Sequence, residues 1–205
     1  MIVVEHLVRS FGERLVLDGL SLSVQSGQRV ALRGPNGSGK TTILRCVLGT
    51  VTPTAGTVTV GRHPAGSLAA RALIGASLSQ ERSFYLRLPG RENLIFFARV
   101  RGLSRRDAVR EVEALVEELE LGEIAAQRCD RCSSGMLQQL ALARALLGNP
   151  PALLLDEPTR SLDTAARARL WAALDRRPDA TVVIATHLDE DLAHVTEVVD
   201  LGATG

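Results

Sequence analysis

The chain has 205 residues, of which 45% are hydrophobic and 23% charged, and its formal net charge is +1. These values are typical of a globular protein and exclude a disordered one. The lack of a basic excess argues against nucleic acid or an anionic membrane surface as the main partner. No apolar stretch is long enough to cross a membrane, no signal-peptide pattern begins the chain, and the three cysteines fit a reducing compartment. We therefore expect a cytosolic protein folded as one domain over residues 1–205.

Short runs of strand-forming residues occur in two stretches, residues 2–33 and 56–79. The runs cover residues 2–4, 20–24, 30–32 and 57–60. Apolar and polar residues alternate over 20–24, which predicts a strand with one solvated face. We expect these runs to form an antiparallel sheet beside a parallel core.

The only lysine of the chain stands in a glycine-rich loop. Of the 24 basic side chains, all but Lys40 are arginine, which marks this position as one where a planar guanidinium does not serve. Residues 34–41 read GPNGSGKT and match the phosphate-binding pattern G-x-x-x-x-G-K-[ST]. A strand over 28–33 and a helix over about 40–48 give the context that the pattern requires. The loop N–H groups, the helix N-terminus and Lys40 suit phosphates, and the Thr41 hydroxyl suits Mg²⁺.

The middle of the chain, residues 82–147, is helical in pattern. Ser104 is a candidate helix N-cap, with Asp107 three residues later. An apolar stripe follows it, formed by Val109, Val112, Leu115, Val116 and Leu119. Arginines cluster over 99–110, but stacking aromatics are nearly absent there, so we interpret them as a solvated face rather than a nucleic-acid surface. We expect an inserted helical subdomain over about 82–147.

Two cysteines, Cys129 and Cys132, form a C-x-x-C pair. Alone, this spacing is compatible with a redox pair or with half of a zinc site. A structural zinc site needs four ligands, and the sequence has no second cysteine pair. We interpret both residues as ordinary thiols, with a functional disulfide as the alternative.

An apolar run over residues 152–155 ends in two carboxylates, Asp156 and Glu157. Such a run predicts a central parallel strand that is buried on both faces. Ligands of parallel sheets bind at the carboxyl ends of the strands. We therefore expect Asp156 to hold Mg²⁺, directly or through water, and Glu157 to polarise an attacking water. A strand followed by a solvated acidic turn is the alternative.

With these motifs placed, nearly the whole chain resembles the nucleotide-binding subunit of an ATP-binding cassette (ABC) transporter. Phe11 matches the aromatic residue that stacks on adenine in that family. Gln80 matches the glutamine loop, Asp163 the D-loop and His187 the switch histidine. The motifs stand in the family's order and at similar spacing, which is more specific than any single match.

The signature motif of that family, Leu-Ser-Gly-Gly-Gln, matches residues 132–136 only in part. The chain has Cys132, Ser134 and Met136 where the family has leucine, the first glycine and glutamine, while Ser133 and Gly135 agree. A form with Ser-Ser-Gly-Met is similar to that of bacterial exporter ATPases of the ABC-2 type. The resemblance implies that Ser133, Ser134 and Gly135 contact the ATP bound by a second subunit.

The resemblance also implies a fold and a set of ligands. The fold is an α/β P-loop NTPase with a mixed central sheet, an antiparallel β subdomain and the inserted helical subdomain, and the cofactors are ATP and Mg²⁺. The residues implied to bind the nucleotide are Phe11, Gly34, Pro35, Asn36, Gly37, Ser38, Gly39, Lys40, Thr41 and Thr42. Those implied to hold Mg²⁺ are Thr41, Gln80 and Asp156. Lys40, Glu157 and His187 are implied to act in ATP hydrolysis.

The implied partners are a second nucleotide-binding subunit, most simply a second copy of this chain, and separate transmembrane subunits. The implied location is the cytoplasmic face of the cell membrane, and no nucleic-acid partner is implied. A soluble ABC ATPase acting on nucleic acid or ribosomes is the alternative, but the chain lacks the long coiled coils, zinc insertions or second cassette of such proteins. A degenerate regulatory module is a further alternative, against which Lys40, Asp156, Glu157 and His187 argue.

Overall fold

The computed structural model describes residues 1–78 and 84–202. The chain divides into two compact units. The first unit comprises Met1–Ile74, Pro151–Glu157 and Asp179–Gly205, and the second unit comprises Gly75–Pro150 and Pro158–Pro178. Within the described residues, none of the helices is long and apolar enough to cross a membrane.

An antiparallel sheet forms one part of the first unit. Its strands are β1 (Ile2–Phe11), β2 (Arg14–Val24), β4 (Ala55–Val60) and β5 (His63–Pro64). They lie in the order β2-β1-β4-β5. Ile2 pairs with Val24 on one side and Val60 on the other, and all three side chains are fully buried. In β2, Ser21 and Ser23 are exposed while Val24 is buried, so the predicted solvated face is confirmed.

A parallel sheet forms the other part of the first unit. Its strands that lie wholly in the first unit are β3 (Arg29–Arg33), β7 (Ala152–Asp156), β8 (Thr181–Thr186) and β9 (Glu197–Asp200). They are neighbours in the order β7-β8-β3-β9, and their three pairings are all parallel. Every residue of β7 and β8 is buried, as continuous apolar runs predict.

The placement of residues 30–32 in the antiparallel sheet was wrong. They belong to β3, which pairs with β8 and β9 in the parallel sheet. Val30, Ala31 and Leu32 are all fully buried, so this strand has no solvated face of the kind that a one-sided antiparallel sheet requires. The predicted parallel and antiparallel strands both occur, but the described pairings place them in two separate sheets.

Three helices belong to the first unit, namely α1 (Lys40–Leu48), α2 (Leu68–Ala72) and α8 (Asp189–Leu192). Helix α1 covers the residues predicted for it and buries Ile43, Leu44 and Val47. It ends at Gly49, whose φ is 74° and whose Cβ, if present, would lie 2.1 Å from Gly66 Cα. Only glycine therefore fits this end of the helix.

The second unit is mostly helical. Its elements are β6 (Ile74–Ser77) apart from Ile74, α3 (Gly90–Val100), α4 (Arg105–Glu118), α5 (Gly122–Ala126), a 3-10 turn (Cys129–Arg131), α6 (Ser134–Leu146) and α7 (Thr164–Asp175). Ser104 caps α4 as predicted, because its hydroxyl accepts the Asp107 N–H at 3.2 Å. The apolar stripe of α4 begins at Ala108, which is fully buried, whereas Val109 is 39% exposed. The assignment of Val109 to the stripe was wrong because Ala108 is the residue one turn before Val112.

The segment before α3 lies beside the segment before α6. Backbone hydrogen bonds join residues 86–90 to residues 127–130 at 2.8 to 3.1 Å. Asn93 is fully buried and its side chain accepts the Tyr85 N–H at 2.7 Å. The same side chain donates to the carbonyls of Tyr85 and Pro89 at 3.1 Å each. One carboxamide thus holds the turn that leads into α3.

Candidate active site

The phosphate-binding loop connects β3 to α1, and its glycines set its shape. Gly39 precedes the helix with a φ of 95°, a left-handed conformation. A Cβ at this residue would lie 2.6 Å from Leu17 Cδ2. Among the described residues, no side chain caps the start of α1. The N–H groups of its first turn are therefore available to an anion.

Lys40 is the first residue of α1 and is only 6% exposed. Its Nζ donates hydrogen bonds to Gly34 O at 2.6 Å and Pro35 O at 3.0 Å. The ammonium group is thus held inside the curve of the loop by carbonyl oxygens. Hydrogen bonds to neutral carbonyl oxygens stabilise the positive charge of the ammonium group less than contacts to anionic oxygens do. Phosphate oxygens are therefore the more favourable partners for Lys40.

Thr41 brings a hydroxyl to the carboxyl end of β7. Its Oγ1 donates to Asp156 Oδ2 at 2.9 Å, and Asp156 is 1% exposed. A hydroxyl and a carboxylate are both ligands that Mg²⁺ prefers. The pair lies where the phosphate-binding loop meets the end of a parallel strand, which is the usual ligand position in such sheets.

The surroundings of Ser38 and Gly34 indicate whether the loop can hold a phosphate. The Oγ of Ser38 is buried and has no hydrogen-bond partner among the described residues. A Cβ at Gly34 would lie 2.7 Å from this oxygen. A buried polar atom without a partner is costly unless a ligand satisfies it. The residues present therefore fit a bound polyphosphate and its Mg²⁺.

Glu157 follows β7 directly and has an unusual backbone conformation. Its φ is 50°, which is strained for a residue other than glycine and is typical of functional sites. Its N–H donates to Ala185 O at 2.8 Å, which fixes the backbone at the end of the sheet. Its carboxylate Oε2 lies 2.6 Å from His187 Nδ1. The side chains are 11% and 43% exposed respectively, so one edge of this pair faces solvent.

Phe11, the residue expected to stack on adenine, lies at the end of β1 and is 47% exposed. The Arg9 guanidinium carbon lies 4.2 Å from the centroid of its ring. A cation over an aromatic face is attractive and restrains the ring. An exposed aromatic ring with one face restrained is a suitable platform for a planar base.

The signature residues begin α6 in the second unit. Ser133 is the N-cap, and its hydroxyl accepts the Met136 N–H at 3.2 Å. The Ser133 N–H points back to Met136 Sδ at 3.4 Å, so the methionine completes the cap at the position where the family has glutamine. A Cβ at Gly135 would lie 2.5 Å from Ser161 O, which explains the glycine. Ser134 is the first residue of the helix and is exposed.

Asp163 caps α7 in the same unit, because its Oδ1 accepts the Ala166 N–H at 2.7 Å. The structure thus brings five of the expected site residues together in the first unit, namely Lys40, Thr41, Asp156, Glu157 and His187. The signature residues and Asp163 lie in the second unit. Pro35, Asn36 and Gly37 are exposed in the loop, and Thr42 is half-buried in α1. Gln80 lies outside the described residues.

The cysteine pair shows none of the properties of a reactive site. Cys129 is buried, Cys132 is partly buried, and neither forms a disulfide. Burial raises the pKa of the Cys129 thiol to about 11 and also raises the pKa of Cys132. Within residues 1–78 and 84–202, no group of three or more histidine, cysteine and acidic side chains could hold a metal ion.

Two buried residues near His187 in the sequence were not among the predicted site residues. Thr186 and Asp191 are both fully buried, and Thr186 Oγ1 donates to Asp191 Oδ2 at 2.6 Å. A threonine directly before the histidine and an acid four residues after it were the available signals. Neither type of residue is unusual in an acidic turn, so the pattern alone did not single them out.

A family model described as ABC transporter matches residues 17–160. The Nod factor export ATP-binding protein I of Rhizobium sp. (strain N33) is 40% identical over 192 residues, which cover 89% of this chain and 61% of that protein. This chain therefore spans about three fifths of the length of that relative.

Two solved structures are similar over most of their length. A dimeric bacterial ABC transporter cassette matches with a TM-score of 0.89 and 26% identity, over 98% of this chain and 95% of that chain. The same cassette in a post-hydrolysis state, bound to ADP and Pi, matches with a TM-score of 0.88 and 25% identity, over 98% and 94%. The predicted α/β P-loop NTPase fold is confirmed. The family match over residues 17–160 and the structural likeness over nearly the whole length show that this chain belongs to the ABC transporter family.

Proposed function

We propose that this chain binds and hydrolyses ATP and that it drives an exporter formed with separate membrane subunits. The observation that carries the proposal is the arrangement at the ends of β7 and β8. There the Thr41 hydroxyl contacts Asp156 at 2.9 Å, and the next residue, Glu157, lies 2.6 Å from His187. Transfer of a phosphoryl group to water requires ligands for Mg²⁺ and a base that activates the water. Thr41 and Asp156 are suitable ligands, and Glu157 beside His187 is a suitable base.

The phosphate-binding loop would hold the triphosphate in this proposal. The backbone N–H groups of residues 34 and 36–42 and the buried Ser38 hydroxyl can donate hydrogen bonds to a polyphosphate. Lys40 would turn its ammonium group from the carbonyls of Gly34 and Pro35 to the β- and γ-phosphates. Phe11 would stack on the adenine base, with Arg9 restraining its ring.

Thr41 and Asp156 would hold Mg²⁺, and the family resemblance adds Gln80 as a third residue. When bound, the ion neutralises charge on the β- and γ-phosphate oxygens. Asp156 is positioned for this role because β7 buries it at the carboxyl end of the sheet.

Glu157 would orient and deprotonate the attacking water. Its carboxylate is largely buried, which limits competing solvent, and its strained backbone directs it out of the strand. His187 faces this carboxylate through Nδ1 and would contact the γ-phosphate. Lys40 would stabilise the charge that develops on the transferred group.

Ser133, Ser134 and Gly135 would complete the site of a second copy of this chain. They begin α6, a helix of 13 residues whose positive N-terminus suits a γ-phosphate. The dimeric cassettes to which the chain is similar support this arrangement. ATP would then join two copies, and hydrolysis would remove the phosphate that both contact.

Export is supported by the relatives, which are Nod factor export ATP-binding proteins, and by the Ser-Ser-Gly-Met form of the signature. Because the chain would contribute the ATPase, separate transmembrane subunits would supply the path for the substrate. The chain would then lie on the cytoplasmic face of the membrane.

The test compares the parent chain with Glu157→Gln for Mg-ATP hydrolysis, ATP affinity and molecular mass in solution. Loss of a general base typically lowers the rate about 10²- to 10⁴-fold, while ATP affinity is retained because Lys40 and the loop remain. The variant should elute with Mg-ATP as a dimer, since the shared γ-phosphate is not cleaved. Glu197→Gln, at an exposed carboxylate of β9, is the control and should match the parent.

A Glu157→Gln variant that hydrolyses ATP near the parent rate would show that another group activates the water. A parent chain that neither binds nor hydrolyses Mg-ATP would contradict the proposed function. A variant that binds ATP but stays monomeric would contradict dimerisation of this chain with itself.

A further inference from the structure

The turn that follows β8 is held by a buried hydrogen bond. Thr186 Oγ1 donates to Asp191 Oδ2 at 2.6 Å and accepts the Leu188 N–H at 3.0 Å. Thr186 and Asp191 are both 0% exposed. His187 lies in the sequence between Thr186 and Asp191. The hydrogen bond between these two side chains therefore closes a short loop that contains the histidine.

The helix and the surface ion pair of this turn restrain it less strongly than the buried bond. Helix α8 has only four residues, too few to be stable without support from its surroundings. Arg33 pairs with Asp189 at 3.1 Å, but these side chains are 48% and 79% exposed, and an exposed ion pair contributes little. His187 is itself 43% exposed, so its own packing fixes it only in part. The buried bond is therefore a local restraint on the backbone that carries the imidazole.

The position of the imidazole matters because its Nδ1 lies 2.6 Å from Glu157 Oε2. A carboxylate that orients water needs an accurate position, and a displacement of about 1 Å in an active site can cost up to about 10² in rate. Burying a carboxylate costs free energy unless it is well hydrogen-bonded. Asp191 is fully buried and bonded to Thr186, the residue directly before His187. An apolar residue would fill this space at a lower cost in free energy, so packing alone does not explain the aspartate.

We infer that Asp191 is a positioning residue, which holds His187 against Glu157 through the Thr186 hydroxyl. This inference rests on the proposed function, because it assigns Asp191 a role in ATP hydrolysis at the same site. It predicts that Asp191 affects kcat far more than nucleotide binding, since the phosphate-binding loop and Phe11, which would make most of the contacts to ATP, lie on other elements.

The first test measures kcat and KM for Mg-ATP, and ATP affinity by calorimetry, in Asp191→Ala and Asp191→Asn. Asp191→Ala should lower kcat about 10-fold or more, with a much smaller change in ATP affinity. Asp191→Asn keeps an oxygen that accepts from Thr186 and should restore most of the rate. The control is Asp189→Asn, which removes an exposed carboxylate from the same turn and should match the parent.

The second test is a double-mutant cycle with His187→Ala. If Asp191 acts only through His187, Asp191→Ala should cause no further loss of kcat in the His187→Ala background. An equal further loss in both backgrounds would indicate a general structural role and would overturn the inference. If Asp191→Ala does not fold, Thr186→Val and Thr186→Ser repeat the cycle, because serine keeps the hydroxyl and valine removes it.

The outcomes separate this inference from the proposed function. A parent chain without ATPase activity would contradict the proposed function itself. A parent chain that hydrolyses ATP and an Asp191→Ala variant with the same kcat would contradict this inference alone.

Discussion

The two units differ in the kind of polar group that they bury. Among the described residues, the fully or nearly fully buried charged side chains are Lys40, Asp156 and Asp191, and all three belong to the first unit. The buried polar side chains of the second unit are neutral, namely Ser77, Asn93 and Thr159.

Charges of the second unit are instead paired nearer the surface. Arg177 donates to both carboxylate oxygens of Glu118 at 2.8 Å, with side chains 16% and 19% exposed. Removing an ion from water costs several kcal/mol, so a fold without a ligand for that ion is expected to leave it near solvent. The buried charges of this molecule thus belong to the unit that carries the phosphate-binding loop, whereas the buried neutral side chain of Asn93 in the second unit fixes a turn.

Lys40→Ala is expected to give the largest effect and to separate binding from stability. Loss of a charge-assisted contact to phosphate should weaken ATP binding about 10- to 100-fold. The free energy of unfolding should change little, because only carbonyl partners of the loop are lost. Calorimetric titration and chemical unfolding measure the two quantities.

Lys40→Arg is the matched variant for this position. It keeps the charge but places a wide planar group in a loop that holds a compact ammonium, so it should not restore affinity. Equal ATP affinity in Lys40→Arg and the parent would show that any cation serves there. A large loss of stability in Lys40→Ala would break the distinction between the two units.

A residue of the candidate site can be predicted from the sequence when its role depends on its neighbours along the chain. Lys40 and Thr41 stand in a loop whose sequence pattern carries its own geometry, and Asp156 ends an apolar run that predicts a buried strand. Phosphate binding requires these residue types at fixed spacing, so the pattern predicts them without any knowledge of tertiary contacts. Asp191 depends on a hydrogen bond to Thr186 that no pattern specifies.

The fold was predictable in its elements but less so in their neighbours. The runs over 20–24 and 30–32 were both identified as strands, yet only the first was assigned to the correct sheet. A three-residue apolar run fits the inner position of either sheet, and its partners are decided by long-range pairing. The same limit applies to Val109, since a helical stripe can be displaced by one residue without changing its period.

Asn93→Ala is expected to have the next largest effect, on stability. The substitution removes the acceptor for the Tyr85 N–H and the donors to two carbonyls, all at a buried position. Unsatisfied buried groups should lower the free energy of unfolding by about 2–4 kcal/mol. ATP affinity of the folded fraction should equal that of the parent, in contrast to Lys40→Ala.

Asn93→Asp sharpens this result. It keeps the oxygen that accepts from Tyr85 but removes the donors and adds a buried charge, so it should be at least as unstable. An Asn93→Ala variant as stable as the parent would show that the neutral network of the second unit is dispensable.

Glu118→Gln is expected to have a smaller and pH-dependent effect. Hydrogen bonding to Arg177 lowers the pKa of Glu118 below its ordinary value of 4.5, against the opposing effect of burial. A carboxylate with a lowered pKa stabilises the fold above its unfolded-state pKa, and this contribution is lost as the pH falls through the folded-state pKa. At pH 7 the variant should be less stable by about 1 kcal/mol.

Urea unfolding of both proteins between pH 7 and pH 3 measures this difference. The gap in the free energy of unfolding between the parent and Glu118→Gln should narrow as the pH falls from 4.5 toward the lower folded-state pKa, because Glu118 is protonated first in the unfolded chain. Glu123→Gln, at an exposed carboxylate of α5, is the control and should follow the parent at every pH. A gap that stays constant down to pH 3 would mean that packing, and not the charge, explains the effect.

Cys129 is expected to give the smallest effect, because its thiol is both buried and neutral. With a pKa of about 11, only about one thiol in a thousand is ionised at pH 8, and the thiolate is the reactive form. Iodoacetamide should therefore modify the folded chain far more slowly at this residue than the unfolded chain, as peptide mass mapping can show. ATP hydrolysis should be equally insensitive to oxidant and reductant in the parent and in Cys129→Ala. A reversible loss of ATPase rate on oxidation of the parent, absent in Cys129→Ala, would instead mean that the 3-10 turn before α6 carries a redox-sensitive thiol. In that case Cys129, a buried side chain of the second unit, would have a functional role and not only a structural one.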